Sequence, residues 1–167
     1  VGKQFSFSLM MRVTGQPENE LHALLAQLQR AEFIYQQPAT SDIEYSFSHA
    51  LTQEVAYNSL LLERRRILHE QAAQAVEAEF TGQLEEHYGE LAHHYSLSGN
   101  PQKAIEYLQL AGEQAVQRSA NAEAIEHFTA ALTALEAMSV TPDRERRELL
   151  LRLDLGVPLV ITKGVAA

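Results

Sequence analysis

Apolar residues recur at helical spacing through nearly the whole of this sequence, and strand-like alternation occurs at a single place. A chain patterned in this way must bury helix faces against other helices, which predicts a mainly α fold. The pattern tightens after Leu84. Ala104-x3-Leu108-x2-Ala111 returns as Ala124-x3-Phe128-x2-Ala131, each followed by a further apolar half-turn, and Gly99-Asn100-Pro101 marks a turn ahead of the first. Small residues in such a row let paired helices approach closely.

With Ala104 at its small-residue position, the stretch 85–118 resembles a tetratricopeptide repeat. Tyr88, Leu91, Ala92 and Tyr95 then fall at the aromatic, Leu, small and Tyr positions of the first helix, and the stretch has the roughly 34-residue length of such repeats. A second repeat is degenerate, because the two Ala motifs lie only 20 residues apart, one helix plus a turn. Helix 101–118 is therefore expected to pack on both neighbours. A last helix is expected over 142–155, with Thr141 as N-cap and Pro142 in its first turn, running into Gly156-Val157-Pro158.

The first half reads differently. Residues 5–13 form a short helix candidate closed by Gly15, and Pro17 sits just inside a second helix carrying Leu21, Leu24, Leu25 and Leu28. Phe33-Ile34-Tyr35 and Ile43-Glu44-Tyr45-Ser46-Phe47 flank a polar stretch with Pro38, which predicts a β-hairpin with Tyr45 and Phe47 on one face. Two helices, a hairpin and a helix starting near His49 are similar to the layout of a winged-helix domain. Residues 54–62 and 63–80 are expected to leave it as a helical stalk. The domain organisation is thus a winged-helix-like domain with its stalk over 1–80, and a tetratricopeptide-like α-solenoid over 81–167, truncated at its C-terminal end.

Cysteine is absent and there is no long uncharged apolar run, so thiol chemistry, thiolate metal sites, disulfides and a helical membrane span are not expected. The chain reads as cytoplasmic, with no membrane partner, and both ends read as cuts within a longer protein. The net charge is −9, of which −6 falls on residues 81–140. Such a surface repels a phosphate backbone, so no nucleic-acid partner is expected.

Around the hairpin, Tyr45-Ser46-Phe47-Ser48-His49-Ala50-Leu51-Thr52-Gln53-Glu54-Val55-Ala56-Tyr57, followed by Arg66-Ile67-Leu68-His69, resembles a segment of bacterial signal-transduction ATPases of the STAND type. These pair a nucleotide-binding domain with helical repeats, often with a nucleotide cyclase or DNA-binding domain at one end. The resemblance implies ATP or ADP as cofactor of the parent chain, with none held by this segment itself. It also implies that His49 stands where a winged-helix His contacts the β-phosphate of bound ADP, since an imidazole N–H donates to phosphate. Ala50 replaces the Asp that usually follows this His, so the acid that would orient the loop is missing. The plainer alternative is a His that serves only the start of its helix.

Other clusters carry less. His87, Glu90 and His94 share a helix face at i, i+3, i+7 spacing, with His93 beside them, but the order matches neither zinc-protease arrangement, and a solvated, partner-facing surface is the simpler account. Arg64-Arg65-Arg66 points three ways around a helix, with Glu63 and Glu70 in pairing reach. Residues 18–30 would form a poor DNA-recognition helix, having one Arg, no Lys and two Glu. No phosphate-binding loop and no Gly-x-Ser-x-Gly motif is present, so no active site is expected in this chain.

The function this implies is a non-catalytic regulatory and protein-interaction segment of a multidomain signalling ATPase, with a protein or peptide, or another domain of the same chain, as partner. A free-standing tetratricopeptide adaptor is the alternative, and a winged-helix DNA-binding regulator a third. In the repeat resemblance the concave groove positions fall on Glu86, Gly89, Glu90, His93, Ser96 and Leu97, an acidic and His-bearing strip suited to a basic peptide or helix.

Overall fold

The computed structural model describes residues 4–38 and 42–164. Among these the chain is mainly α, with eight α-helices and one small antiparallel sheet divided between two units, Val1–Thr81 and Gly82–Ala167.

In the first unit β1 (Gln4–Ser6) leads into α1 (Phe7–Thr14), followed by α2 (Glu18–Arg30), β2 (Ile34–Gln37), β3 (Glu44–Phe47), α3 (Ala50–Ser59) and α4 (Leu62–Glu79). The expected hairpin is present, with Ile34 opposite Phe47. The sheet also has a third strand. Periodicity over 5–13 predicts helix from Phe5, but Phe5 pairs with Tyr45, and the strand order is β1-β3-β2. The cause is local: the Ser6 hydroxyl accepts from the Leu9 amide at 3.1 Å, capping a helix that begins only at Phe7. Pro17 likewise caps α2 from outside, its carbonyl accepting from the Glu20 and Leu21 amides.

Phe5, Phe7, Leu21, Leu25, Ile34 and Tyr45 form one core, joined at its edge by Phe47, with the Phe5 and Tyr45 rings stacked at 5.8 Å. Asp42 ties the hairpin to α1. Its carboxylate accepts from the Ser8 amide at 3.0 Å, while the neighbouring Ile43 carbonyl accepts from Phe7 at 2.8 Å. Burial pushes this carboxyl up, but bonds from Ser8, Ile43 and Ser6 outweigh it and hold the pKa below the ordinary aspartate value. Tyr45 is shifted up by burial and by the Asp42 charge.

The helical run after the hairpin breaks at Leu60 and Leu61, and α4 lies on α1 rather than standing clear as a stalk, with Ala72 and Ala75 against Val13. Arg65 secures the break. It donates to the Leu60 and Asn58 carbonyls and lies over the Tyr57 ring at 4.7 Å, while Arg66 pairs with Glu63 at 3.6 Å. The Tyr57 hydroxyl meets the His69 ring at 3.0 Å.

The second unit opens with a 3-10 turn, Leu84–His87, followed by α5 (Tyr88–Ser98), α6 (Pro101–Gln117), α7 (Asn121–Glu136) and α8 (Pro142–Lys163). Each helix packs on the next in chain order, so α6 lies on both α5 and α7. Leu91, Ala92, Tyr95, Ala104, Leu108 and Ala111 are buried and Tyr88 is half-buried. The Tyr95 and Tyr107 rings stack 5.5 Å apart. Gly99 ends α5 in the left-handed region, and the Asn100 side chain caps α6 by accepting from Lys103 at 3.2 Å. α6 and α7 meet where the Phe128 ring lies over Gly112, so close that a β-carbon there would fall 2.6 Å from the ring.

Thr141 caps α8 as expected, accepting from Arg144 at 3.1 Å. The helix does not end near Leu155, however. It continues through Gly156-Val157-Pro158 to Lys163, although an interior proline removes one ladder bond and costs about 3 kcal/mol. Pro158 is fully buried and, seven residues on, in line with the buried Leu151, and that burial offsets the lost bond.

Candidate functional site

α7 buries Ala124, Phe128, Ala131 and Leu135 in one row, which turns the next row of the helix outward. That row consists of Ile125, Glu126, Thr129, Ala130, Thr133, Ala134 and Ala137. Its side chains are short and carry a single charge, so they leave a hollow where a surface helix would ordinarily present Lys and Glu. The hollow is an open cavity of about 760 Å³. α5 supplies Tyr95 and Ser96, and α6 supplies Ala104 and Leu108. Among the described residues of the lining Glu126 is the only carboxylate, and there is no Lys, Arg or His.

The strip expected from sequence runs along the 3-10 turn and α5 and meets this cavity at one residue. Glu86 is in the 3-10 turn, and Gly89, Glu90, His93, Ser96 and Leu97 are on α5, all exposed. Their spacing sets them in one stripe along the helix. Ser96 is the member that lines the cavity, and its hydroxyl donates back to the Ala92 carbonyl at 2.7 Å. The His-rich helix is divided: His87 meets Glu90 at 3.1 Å, whereas His94 is buried on another side of α5 from exposed His93. No group of three metal-ligating side chains is assembled among the described residues.

His49 stands at the N-cap of α3 with extended backbone, and its ring makes no capping bond. Only its carbonyl serves the helix, accepting from Thr52 and Gln53. The ring is exposed. α3 itself buries none of its residues, and it leaves Leu51 69% and Val55 61% exposed, an apolar face without a partner in the described chain.

No family model matches this chain, and no solved structure matches it. It is similar to an uncharacterized protein of Rhizobium meliloti (strain 1021). The two are 32% identical over 123 residues, which is 74% of this chain and 12% of that protein. The chain thus spans only a small part of the relative's length.

The α7 wall of the cavity, Thr129, Ala130, Thr133 and Ala137, is absent from the sequence-based strip. The signal for it is the run of uncharged small residues on the side of α7 opposite Phe128. Reading that side as a wall requires knowing that α5 and α7 flank the same helix.

Proposed function

We propose that this chain is a regulatory, protein-binding segment of a longer signalling ATPase. In this reading the second unit is a tetratricopeptide-like solenoid whose groove captures a partner, and the first is a winged-helix-like module that responds to nucleotide held elsewhere in the parent. The α5–α7 cavity carries the proposal. A concave surface of this size with one carboxylate among mostly uncharged side chains accepts the apolar face of a helix, and short Ala and Thr side chains allow that helix to come close. Glu86 and Glu90 lie on the same helical stripe as the lining residue Ser96, in a segment carrying −6 of charge, which favours a basic amphipathic partner. The nucleotide half rests on the resemblance around His49, whose free, exposed ring is available to donate to a phosphate, and on the uncovered Leu51 and Val55 of α3. ATP or ADP and the phosphate-binding loop would belong to the parent.

The test is fluorescence anisotropy with a labelled amphipathic Leu/Lys helix and its Leu/Glu counterpart. The basic peptide is expected to bind in the range of about 10–100 µM at low salt. Ala130→Arg with Thr133→Arg fills the cavity with positive charge and should weaken binding roughly tenfold or more, while Glu86→Lys with Glu90→Lys weakens it by about 2–5-fold. Equal binding of the two peptides, or a groove variant that binds as the parent does, refutes the proposal.

A further inference from the structure

α6 and α8 each pack on α7, and between them lies a second cavity, of about 1060 Å³. Gln102, Glu106 and Gln109 line it from α6 at i, i+4 and i+7, on the side of that helix turned away from Ala104 and Leu108. Asp143, Arg146, Arg147 and Leu150 line it from α8, again in one helical row, and Ala137, Met138 and Ser139 at the end of α7 complete it. Its walls are thus helices and a turn of this unit alone. With Arg144, three arginines meet here, directly after a segment that carries −6 of charge.

The three are not equivalent. Arg144 is committed, since its Nε donates to the Leu135 carbonyl at 3.0 Å and its guanidinium pairs with Glu148 at 3.4 Å. Arg146 and Arg147 are exposed and pair with no acid among the described residues. Neither carboxylate of the lining takes them up: Glu106 is held by Lys103 at 3.5 Å, and Asp143 stands in the first turn of α8, where it answers the positive end of that helix. Two guanidinium charges are left over in a recess that also has apolar walls. We propose that this recess binds a small organic phosphate monoester, its dianion on Arg146 and Arg147 and its apolar body against Pro101, Met138 and Leu150. The inference does not rest on the α5–α7 cavity or on a partner helix there.

Charge and size set the ligand class. One guanidinium fork fills both oxygens of a carboxylate, whereas the three oxygens of a phosphate dianion accept from two forks. Arg146 and Arg147 are sequence neighbours, about 100° apart around the helix, and so can bracket one group from two directions. A bare phosphate ion would occupy only a small part of the cavity. The lining runs about 10 Å along each helix, which is the length of a small organic molecule and less than a partner helix of three turns needs. Both arginines are exposed, so water and salt screen them, and the expected Kd is on the order of 0.1–1 mM at low salt.

An amide-detected NMR titration of the chain with phenyl phosphate, at low salt and a pH of about 7.5 where the monoester is a dianion, tests this. Saturable shifts should concentrate on the Gln102 and Gln109 side-chain amides and on the first two turns of α8. Arg146→Gln with Arg147→Gln should weaken binding about tenfold or more, while the circular-dichroism melt is retained because both side chains are exposed. Arg64→Gln with Arg66→Gln removes the same charge from α4 and should leave binding unchanged. Benzoate keeps the ring but offers one carboxylate, and inorganic phosphate keeps the charge without the ring, so each should bind at least about fivefold more weakly than phenyl phosphate. Absence of saturable shifts up to about 10 mM phenyl phosphate overturns the proposal, and so does an α8 variant that binds as the wild type does. Equal loss in the α4 variant would mark attraction to net charge alone and refute the site. Benzoate binding as tightly as phenyl phosphate refutes the dianion, and inorganic phosphate doing so refutes the apolar contact.

Discussion

Replacing Gly112 by alanine should destabilise the second unit, although helix propensity alone argues the reverse. Glycine inside a helix is less favourable than alanine by about 0.5–1 kcal/mol, so Gly112→Ala gains that much from the backbone. The added methyl, however, would lie 2.6, 2.8 and 2.9 Å from three carbons of the Phe128 ring. Phe128 is 1% exposed and flanked along α7 by the fully buried Ala124 and Ala131, so the ring has no free space to move into. Overpacking of this kind costs about 1–3 kcal/mol, which leaves a net loss of about 1–2 kcal/mol. For a unit of this size that lowers Tm by about 4–8 °C per kcal/mol. Gly156→Ala is the matched control. Gly156 is interior to α8, and nothing lies within 4 Å of its would-be β-carbon, so the same substitution there should raise Tm by a few degrees. Phe128→Leu combined with Gly112→Ala should recover part of the loss, because the two sites are coupled. Circular-dichroism melts of these proteins and of Phe128→Leu alone, five with the wild type, decide it. A Gly112→Ala chain that melts above wild type, or strict additivity in the double variant, would refute the close-packing account of the α6–α7 contact.

Asp42→Asn should destabilise the first unit by about 0.5–1 kcal/mol at neutral pH, through the weakened bond to the first turn of α1. Because the folded pKa of Asp42 lies below its ordinary value of 3.8, this stabilisation is complete above that pH and is lost as pH falls through the folded value. Denaturation midpoints of the two proteins should therefore converge only at the acid end, and a gap constant from pH 7 downward would contradict the assignment. In a longer chain that carries a nucleotide domain, His49→Ala should speed ADP release by roughly tenfold to a hundredfold, the worth of one hydrogen bond to a charged group, with unchanged release kinetics as the contrary result.

Much of this architecture is legible in the sequence because it rests on local chemistry. Asn100 and Thr141 announce helix starts by their own side chains, and Tyr45 and Phe47 announce a half-buried strand by alternation. β1 was hidden because three residues are too short for a period, and because its pairing with β3 joins positions about forty residues apart in sequence. Pro158 misleads for the opposite reason, since a local rule that ends helices is overridden by burial. The groove divides in the same way. Its α5 edge follows from a repeat pattern, while its α7 wall is visible only once the stacking of three helices is known. Gly112 looks like one more small residue beside Ala111, and only the position of the Phe128 ring shows that no larger side chain fits.

The order of packing in the second unit also bears on how it forms. Because α5, α6, α7 and α8 each rest on the helix before, most contacts join residues that are close along the chain. Such a topology closes only short loops at each step, and domains dominated by local contacts fold in microseconds to milliseconds. A ribosome adding about 5–20 residues per second is far slower. During synthesis each helix therefore finds its predecessor already folded, and the apolar underside of α8 is covered by α7 as soon as it emerges. The first unit cannot assemble in that way, since β1 must wait until β3 has been made before its edge is paired.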